Sequence, residues 1–390
     1  MKRPPRRAFL AATAATATTL LGGCVATLGG SDPDGAGGSG SAVTGGTWHQ
    51  DHADAHNTGS NPDAAVGSAR TTRWQTSIGT WAFASPVVDG QTLYATSDTH
   101  VRALDIVEGD EQWKVPVEAS LLSPALHADR VLVAGMDGSL RSLASSDGSE
   151  HWRVDAGTKL RCSPTVDDDL VVVGGAEGEL VAVGHDGEER WRARVGEAHV
   201  HSPQVVNPPA LTDERVFAGS EDPRLVAFDR ADGRELWGFE ANATVDAAPV
   251  VVDDTVFVGD AAGTVHAVAV SDGRERWHAS LGEGSSTVAV ADGTVVATGA
   301  GHVAAYRADD GTERWRTAVE GAPLSAPTIA GDTVVVGGVA SQVVGLAAAD
   351  GEVRWRHGVD GKVATGPTVA GESVYVTDGY SGGLYALGPA

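Results

Sequence analysis

The chain has 390 residues, enough to bury a large core, and carries 52 Asp and Glu against 28 Lys and Arg, a formal charge of −24. A surface this acidic repels phosphates and anionic lipid, which excludes binding to nucleic acid or to a membrane through charge. Aromatic residues make up only 5% of the chain, yet ten of them are Trp, a bias that places tryptophan at fixed structural positions and directs attention to repeats.

In chain order, residues 1–23 read as a targeting segment. Lys2, Arg3, Arg6 and Arg7 precede the apolar, threonine-diluted stretch AFLAATAATATTLLGG, and no acid occurs among these residues. Sixteen helical residues would span only about 24 Å, short of a hydrocarbon core of about 30 Å, so a signal peptide is expected rather than a membrane helix. Arg6-Arg7-Ala8-Phe9-Leu10 resembles a twin-arginine export motif, with Pro5 where Ser or Thr is more usual. Leu21-Gly22-Gly23-Cys24 resembles a lipobox, which implies lipidation of Cys24. The combination resembles the lipoprotein signals of halophilic archaea. Loss of residues 1–23 leaves 24 basic residues against the same 52 acids, a charge of −28 that fits a high-salt habitat.

Residues 24–47 are dominated by Gly, Ser, Ala and Asp and cannot repay the entropy of ordering, so they are expected to form a tether behind the lipidated cysteine. Residues 48–70 form a lead-in to the repeats. His49, Asp51, His52, Asp54 and His56 within it look like metal-ligand text, but the context of a zinc site is absent and no metal is assigned.

From residue 71 onward eight tryptophans recur: Trp74, Trp113, Trp152, Trp191, Trp237, Trp277, Trp315 and Trp355. Their spacing is close to 40 residues except between Trp191 and Trp237, where residues 207–215 look like additional chain. Each unit opens on a dipeptide such as Ser85-Pro86, Ser123-Pro124, Ser163-Pro164, Ser202-Pro203, Ala248-Pro249, Ala326-Pro327 or Gly366-Pro367, with Ser286-Thr287 the one opening lacking proline. A β-branched run, a second apolar run, an Asp-Gly turn and the tryptophan follow. These are four short strands, and a unit this small must stack on neighbours to bury both faces of its sheet. The eighth unit ends without a fourth strand or tryptophan, while Trp74 in RTTRWQT precedes the first opening without strands of its own. The expected fold is therefore all-β: an eight-bladed propeller of four-stranded blades over residues 71–390, closed by an N-terminal strand. The tryptophans need no ligand, because a large ring on the outermost strand covers the joint between blades.

The pattern SPTVDDDLVVVGGAEGELVAVGHDGEERW, residues 163–191, resembles the pyrroloquinoline-quinone-type (PQQ-like) propeller repeat, as does GPTVAGESVYVTDGYSGGLYALG near the C-terminus. The resemblance covers about residues 71–390, and WHQDHADAHNTGSNP looks like the lead-in found before the first blade. One branch of that family, the quinoprotein alcohol dehydrogenases, holds the quinone over Ca²⁺ with an Asp base and a vicinal disulfide. No two cysteines are adjacent here. A second branch contains an anchored, non-enzymatic lipoprotein of outer-membrane β-barrel assembly, matching in fold and anchor.

Segments between blades diverge from the repeat, and Trp81, Lys159, Arg161, His199, His201 and Asp246 are the candidate ligand contacts at the channel mouth. They do not form a nucleophile–base–orienter set by spacing, and no Walker, dinucleotide or hydrolase signature occurs. The sequence thus reads as a lipoprotein on the outer, extracellular face of the cell membrane. Its propeller is expected to be a non-catalytic scaffold or recognition platform rather than an enzyme, without catalytic residues or cofactor. The expected partners are the membrane through the lipid anchor alone and a protein or small polar ligand at the channel face. The alternative is a quinone-dependent dehydrogenase or another small-ligand enzyme using the channel mouth.

Overall fold

The structure is a computed structural model that describes residues 46–67, 69–80, 82–196, 204–321, 325–338, 340–379 and 381–390. All its regular elements are strands, arranged in eight sheets that are antiparallel except where Ser60–Asn61 joins the seventh in parallel, and no helix among the described residues is long and apolar enough to cross a membrane. In the first blade the inner strand Val87–Gly90 is followed by Thr92–Thr96, His100–Asp105 and the outer strand Glu111–Pro116. The next six blades repeat that order. In the eighth, Thr368–Ala370, Ser373–Thr377 and Gly383–Pro389 are completed by Arg70–Ser77, which pairs along the whole third strand. The N-terminal strand therefore closes the ring.

Unbroken runs of apolar, largely β-branched residues let the second and third strands be buried on both faces, as in LVVVG at Leu170–Gly174. The outer strands alternate exposed and covered residues, as in ERWRAR at Glu189–Arg194. In every blade the register between third and outer strands slips just before the tryptophan, as where Ala182 faces Trp191 and Val183 faces Glu189. This bulge adds twist and aims the indole across the joint.

Seven of the eight indoles dock identically on the following blade. Trp191 Nε1 donates to the Arg230 carbonyl at 2.7 Å and Trp277 Nε1 to Ala308 at 2.9 Å. The ring then lies on the glycine of that blade's turn, which is Asp-Gly except in the first blade, where Trp74 covers Glu108-Gly109. At Gly233, with φ of 73°, a Cβ would come 2.6 Å from the Trp191 ring. Glycine is required there twice, by the left-handed turn and by the tryptophan. Trp355 differs because the eighth blade has no chain turn between its third and outer strands. Its Nε1 has no partner, its ring lies over Gly345, and the Arg70 guanidinium sits 5.8 Å from the ring centroid.

The core is divided among the joints. Eight apolar clusters each span two adjacent blades. The closing one unites Trp74 with Leu104 and Ile106 of the first blade and with Tyr375 and Leu384 of the eighth.

Two unit boundaries differ from the sequence reading. Thr368 Oγ1 donates to the Pro86 carbonyl of the next blade, Thr328 to Pro367, and Thr165 to Pro209. The fourth blade therefore opens on Pro208-Pro209, and the additional chain lies before Pro208, in the link from the third blade, rather than at residues 207–215. Ser202-Pro203 falls in that link, where residues 202 and 203 lie outside the described residues. In the sixth blade Val290 N donates to Thr58 O as Ile329 N does to Gly59 O, so Thr287-Val288, one residue later than expected, occupies the opening. Both slips arose because dipeptide similarity was matched where hydrogen-bond register decides.

Candidate functional site at the channel mouth

The lead-in is the element the sequence left without a role, and it shapes the site. It enters at Gly46–Trp48, paired with the inner strand of the first blade. It then visits the inner strand of each blade in turn. His49 O accepts from Leu126 N, the Gln50 amide brackets Val166, and Ala55 O accepts from Leu211 N. His56 O accepts from Val251 N, Thr58 O from Val290 N and Gly59 O from Ile329 N, and Asn61 Nδ2 donates to Val369 O. One short segment thus satisfies inward-facing backbone groups of all eight blades that would otherwise be buried unpaired.

The supposed metal-ligand text is this plug. Asp54 caps its turn, accepting from the backbone of His56 and Thr58 and from the Thr58 hydroxyl. Asp51 accepts from Ser163 Oγ at 3.0 Å. The contacts are shared between backbone carbonyls and the side-chain amides of Gln50, Asn57 and Asn61, with Asn57 Nδ2 donating to the Pro208 and Pro249 carbonyls at 3.0 and 3.1 Å. Only about 10 Å³ of open space remains beside Asp51, His52 and Ser85, about the room of one water. The plug meets the inner strands toward their turn ends, so the channel is filled from that side. The opposite mouth is left to the segments that link one blade to the next.

At that mouth Ser85 N donates to Ser123 Oγ at 2.9 Å and Ser85 Oγ donates to Gly366 O at 3.2 Å, tying three neighbouring openings together. Lys159 is exposed and Arg161 partly so, both on the link into the third blade, and no described residue pairs with the Arg161 guanidinium. Asp246, on the link into the fifth, accepts from Ser285 Oγ at 2.8 Å through Oδ2, while Oδ1 is closed from solvent without a hydrogen-bond partner. Asn207 Nδ2 holds the Asp246 carbonyl. Trp81, His199 and His201 lie outside the described residues.

Phe83, 40% exposed on the link into the first blade, and Ser285 were missed by the sequence reading. A register count would have found them. Phe83, Arg161, Asp246, Ser285 and Ala364 each stand two residues before an inner-strand opening, and Leu122 holds the corresponding place in the shorter second link. In six of the links, the described residues thus place one side chain at an equivalent register position.

Cys162, beside Arg161, is not reactive. Its sulfur is buried against Gly174 N, and burial pushes the thiol up to about 12. Away from the mouth, a groove of about 580 Å³ between the third and fourth blades is lined by Trp191, Leu170, Arg190 and Arg230. Its most covered cation is already matched, since the Asp167 carboxylate grips Arg230. Burial would raise that carboxyl, but the Arg230 hydrogen bond and the Asp169 and Leu170 amides hold it below its ordinary value.

These features define an eight-bladed propeller whose central channel is plugged by its own N-terminal segment. A family model described as outer membrane protein assembly factor BamB matches residues 63–151, 136–292 and 282–390, and the chain belongs to that family. BamB from Moraxella catarrhalis is similar in structure, with a TM-score of 0.69 at 18% identity, covering 83% of this chain and 98% of its own. The quinohemoprotein alcohol dehydrogenase ADHIIG from Pseudomonas putida HK5 has a TM-score of 0.75 at 14% identity, covering 88% and 80%. That from Comamonas testosteroni has 0.72 at 15%, covering 88% and 81%. No curated protein matches the sequence.

The neighbours correct the functional reading drawn from sequence. The same fold carries an assembly factor and dehydrogenases at comparable similarity, so fold and anchor do not select a non-catalytic platform, and the exclusion of an enzyme is withdrawn. The quinone-and-calcium group that the dehydrogenase branch implies does not fit the residues present. Among the described residues no three His, Cys, Asp or Glu side chains are placed to hold a metal ion, and Cys162 is the one described cysteine.

Proposed function

We propose that this chain is an exported small-ligand enzyme whose substrate binds at the open channel mouth. The observation that supports it best is the plug. A through channel holds a small molecule poorly, whereas one filled by its own chain leaves the linking segments as the walls against which a small molecule would dock. Lys159, Arg161 and Asp246 would contact a small polar ligand there, and the acidity of the chain leaves no part for nucleic acid. The fold shared with dehydrogenases makes oxidation the first reaction to test. The measurement is thermal stabilisation by a panel of small polar metabolites, followed by dye-linked oxidation of each stabilising compound, with and without added quinone. Ligand-dependent turnover lost in the Arg161→Ala, Asp246→Ala double variant would support the reading. A chain that neither binds nor turns over any member would overturn it.

Export and anchoring belong to the same proposal. Residues 1–23 act as a twin-arginine-type signal, Cys24 carries the lipid, and residues 25–47 tether the propeller on the extracellular side of a membrane in a high-salt habitat. Cys24→Ser is expected to release a folded protein from the membrane fraction. Retention of that variant in the membrane would show that the cysteine is not the anchor.

A further inference from the structure

The eighth blade differs from the others at the link end of its outer strand. The residue that follows the docked tryptophan there carries a basic side chain in six blades, as at Lys114, Arg153 and Arg316, and in the fourth the Arg224 guanidinium lies over Gly238 instead. Such cations are matched locally, Arg153 lying 3.3 Å from Asp137 and Arg316 2.7 Å from Glu313. In the eighth blade the outer strand is Arg70–Ser77, so the position falls to Gln75, and opposite it stands Tyr385. This neutral pair faces a pocket of about 390 Å³, lined by Gln75, Thr76, Ser77, Asp360, Ser381 and Tyr385 around the buried Asp378. None of its lining residues is cationic.

The walls form one hydrogen-bonded frame. Gln75 Nε2 donates to Asp360 Oδ2 at 3.0 Å and to the Tyr385 hydroxyl at 3.1 Å, and Asp360 N donates to the same hydroxyl at 3.2 Å. Tyr385 in turn donates to Asp378 Oδ2 at 3.3 Å, with Ser381 Oγ on that oxygen and Gly383 N on Oδ1 at 2.9 Å. Burial pushes the Tyr385 hydroxyl up to about 12, so it keeps its proton as the donor in that chain. An anion entering the pocket would meet two carboxyl groups and no cation. An ammonium ion would find carboxyl oxygens already supplied with donors, and in molar salt charges at the surface are screened beyond about 3 Å. A neutral ligand with adjacent hydroxyl groups matches the walls best. Each of its hydroxyls can donate to a carboxyl lone pair while accepting from Thr76, Ser77 or Ser381.

We propose that this pocket, separate from the channel mouth, binds a neutral polyhydroxylated ligand of the monosaccharide class. Its volume lies in the range of small-molecule sites.

The test titrates the mature chain calorimetrically in molar sodium chloride with D-glucose, D-galactose and D-mannose, and with methylammonium chloride and sodium acetate as charged controls. At least one sugar is expected to bind at least about tenfold more tightly than either control, and Asp360→Ala should weaken that sugar by about tenfold or more. Gln75→Arg should abolish binding without lowering the unfolding midpoint, because it gives the eighth blade the cation that the others carry. The Arg161→Ala, Asp246→Ala double variant should bind the sugar as the unaltered chain does, which keeps this site distinct from the one proposed at the mouth. Binding of none of the sugars, or tighter binding of methylammonium than of every sugar, would overturn the assignment. So would sugar binding untouched by Asp360→Ala and Gln75→Arg, or sugar binding lost in the double variant.

Discussion

A fragment beginning at residue 78 is expected to lose cooperative folding in molar salt, whereas one beginning at residue 48 should unfold at the midpoint of the full-length chain. The difference is only 30 residues, none of them in the four-stranded units of the first seven blades, although Trp48 and Ser60–Asn61 lie in strands that flank the first and seventh. Deletion to 78 strips Arg70–Ser77 from the eighth blade, exposing a row of unpaired groups along Gly383–Pro389. It also removes Trp74, whose Nε1 donates to Ile106 O at 2.9 Å and whose ring packs 6.1 Å from Tyr375 across the joint that closes the ring. The same cut takes the plug, so a third fragment beginning at residue 63 separates the two effects. It keeps the closing strand, loses the contacts to all eight inner strands, and should show an intermediate midpoint with cooperativity retained. Trp74→Ala and Trp191→Ala remove equivalent docked rings and should each cost about 3–5 kcal/mol. A residue-78 fragment with the midpoint of the residue-48 fragment would rule out closure by Arg70–Ser77.

His266→Leu is expected to destabilise the fifth blade by about 2–3 kcal/mol, because it leaves the buried Asp260 carboxyl without its hydrogen-bond partner at Oδ2. Asp260 is fully buried. Its Oδ1 accepts from the Ala262 and Thr264 amides at 3.0 and 2.8 Å, and its Oδ2 faces His266 Nε2 at 3.2 Å. His266 Nδ1 faces Glu275 Oε1 at 2.8 Å, so one ring bridges the two carboxyl groups. Burial alone would raise the Glu275 carboxyl, but hydrogen bonds from His266 and His278 hold it below its ordinary value. That contribution is complete above the ordinary glutamate pKa of about 4.3 and is lost as the pH falls through the depressed folded value. In His266→Leu the acid side of the stability profile should therefore flatten. Adding Asp260→Asn should restore a large part of the loss, since the asparagine keeps an acceptor for both amides and removes the stranded charge. Denaturant midpoints at pH 7 read both variants. A loss below about 1 kcal/mol for His266→Leu would mean that water, not the imidazole, compensates Asp260.

The number of blades, the four-strand unit and the closing strand were legible in the sequence because each follows from local chemistry repeated eight times. Alternating Val-rich runs can only be strands. Asp-Gly must turn, and an unpaired Trp74 strand at one end answers a blade lacking its fourth strand at the other. What a blade does at its own position depended on register, and register is a property of the assembled ring. Pro208-Pro209 was overlooked beside the better dipeptide match at Ser202-Pro203, because only Thr165 reaching the Pro209 carbonyl distinguishes them. Residues 48–61 looked like metal-ligand text. His49 and His56 contact the blades through backbone carbonyls, which side-chain identity does not encode, and the partners of the segment lie up to 308 residues away. The mouth formed by the linking segments was likewise beyond sequence reading. It exists only when links far apart in the chain are brought onto one circle, and the closure of the eighth blade by Arg70–Ser77 is what draws that circle.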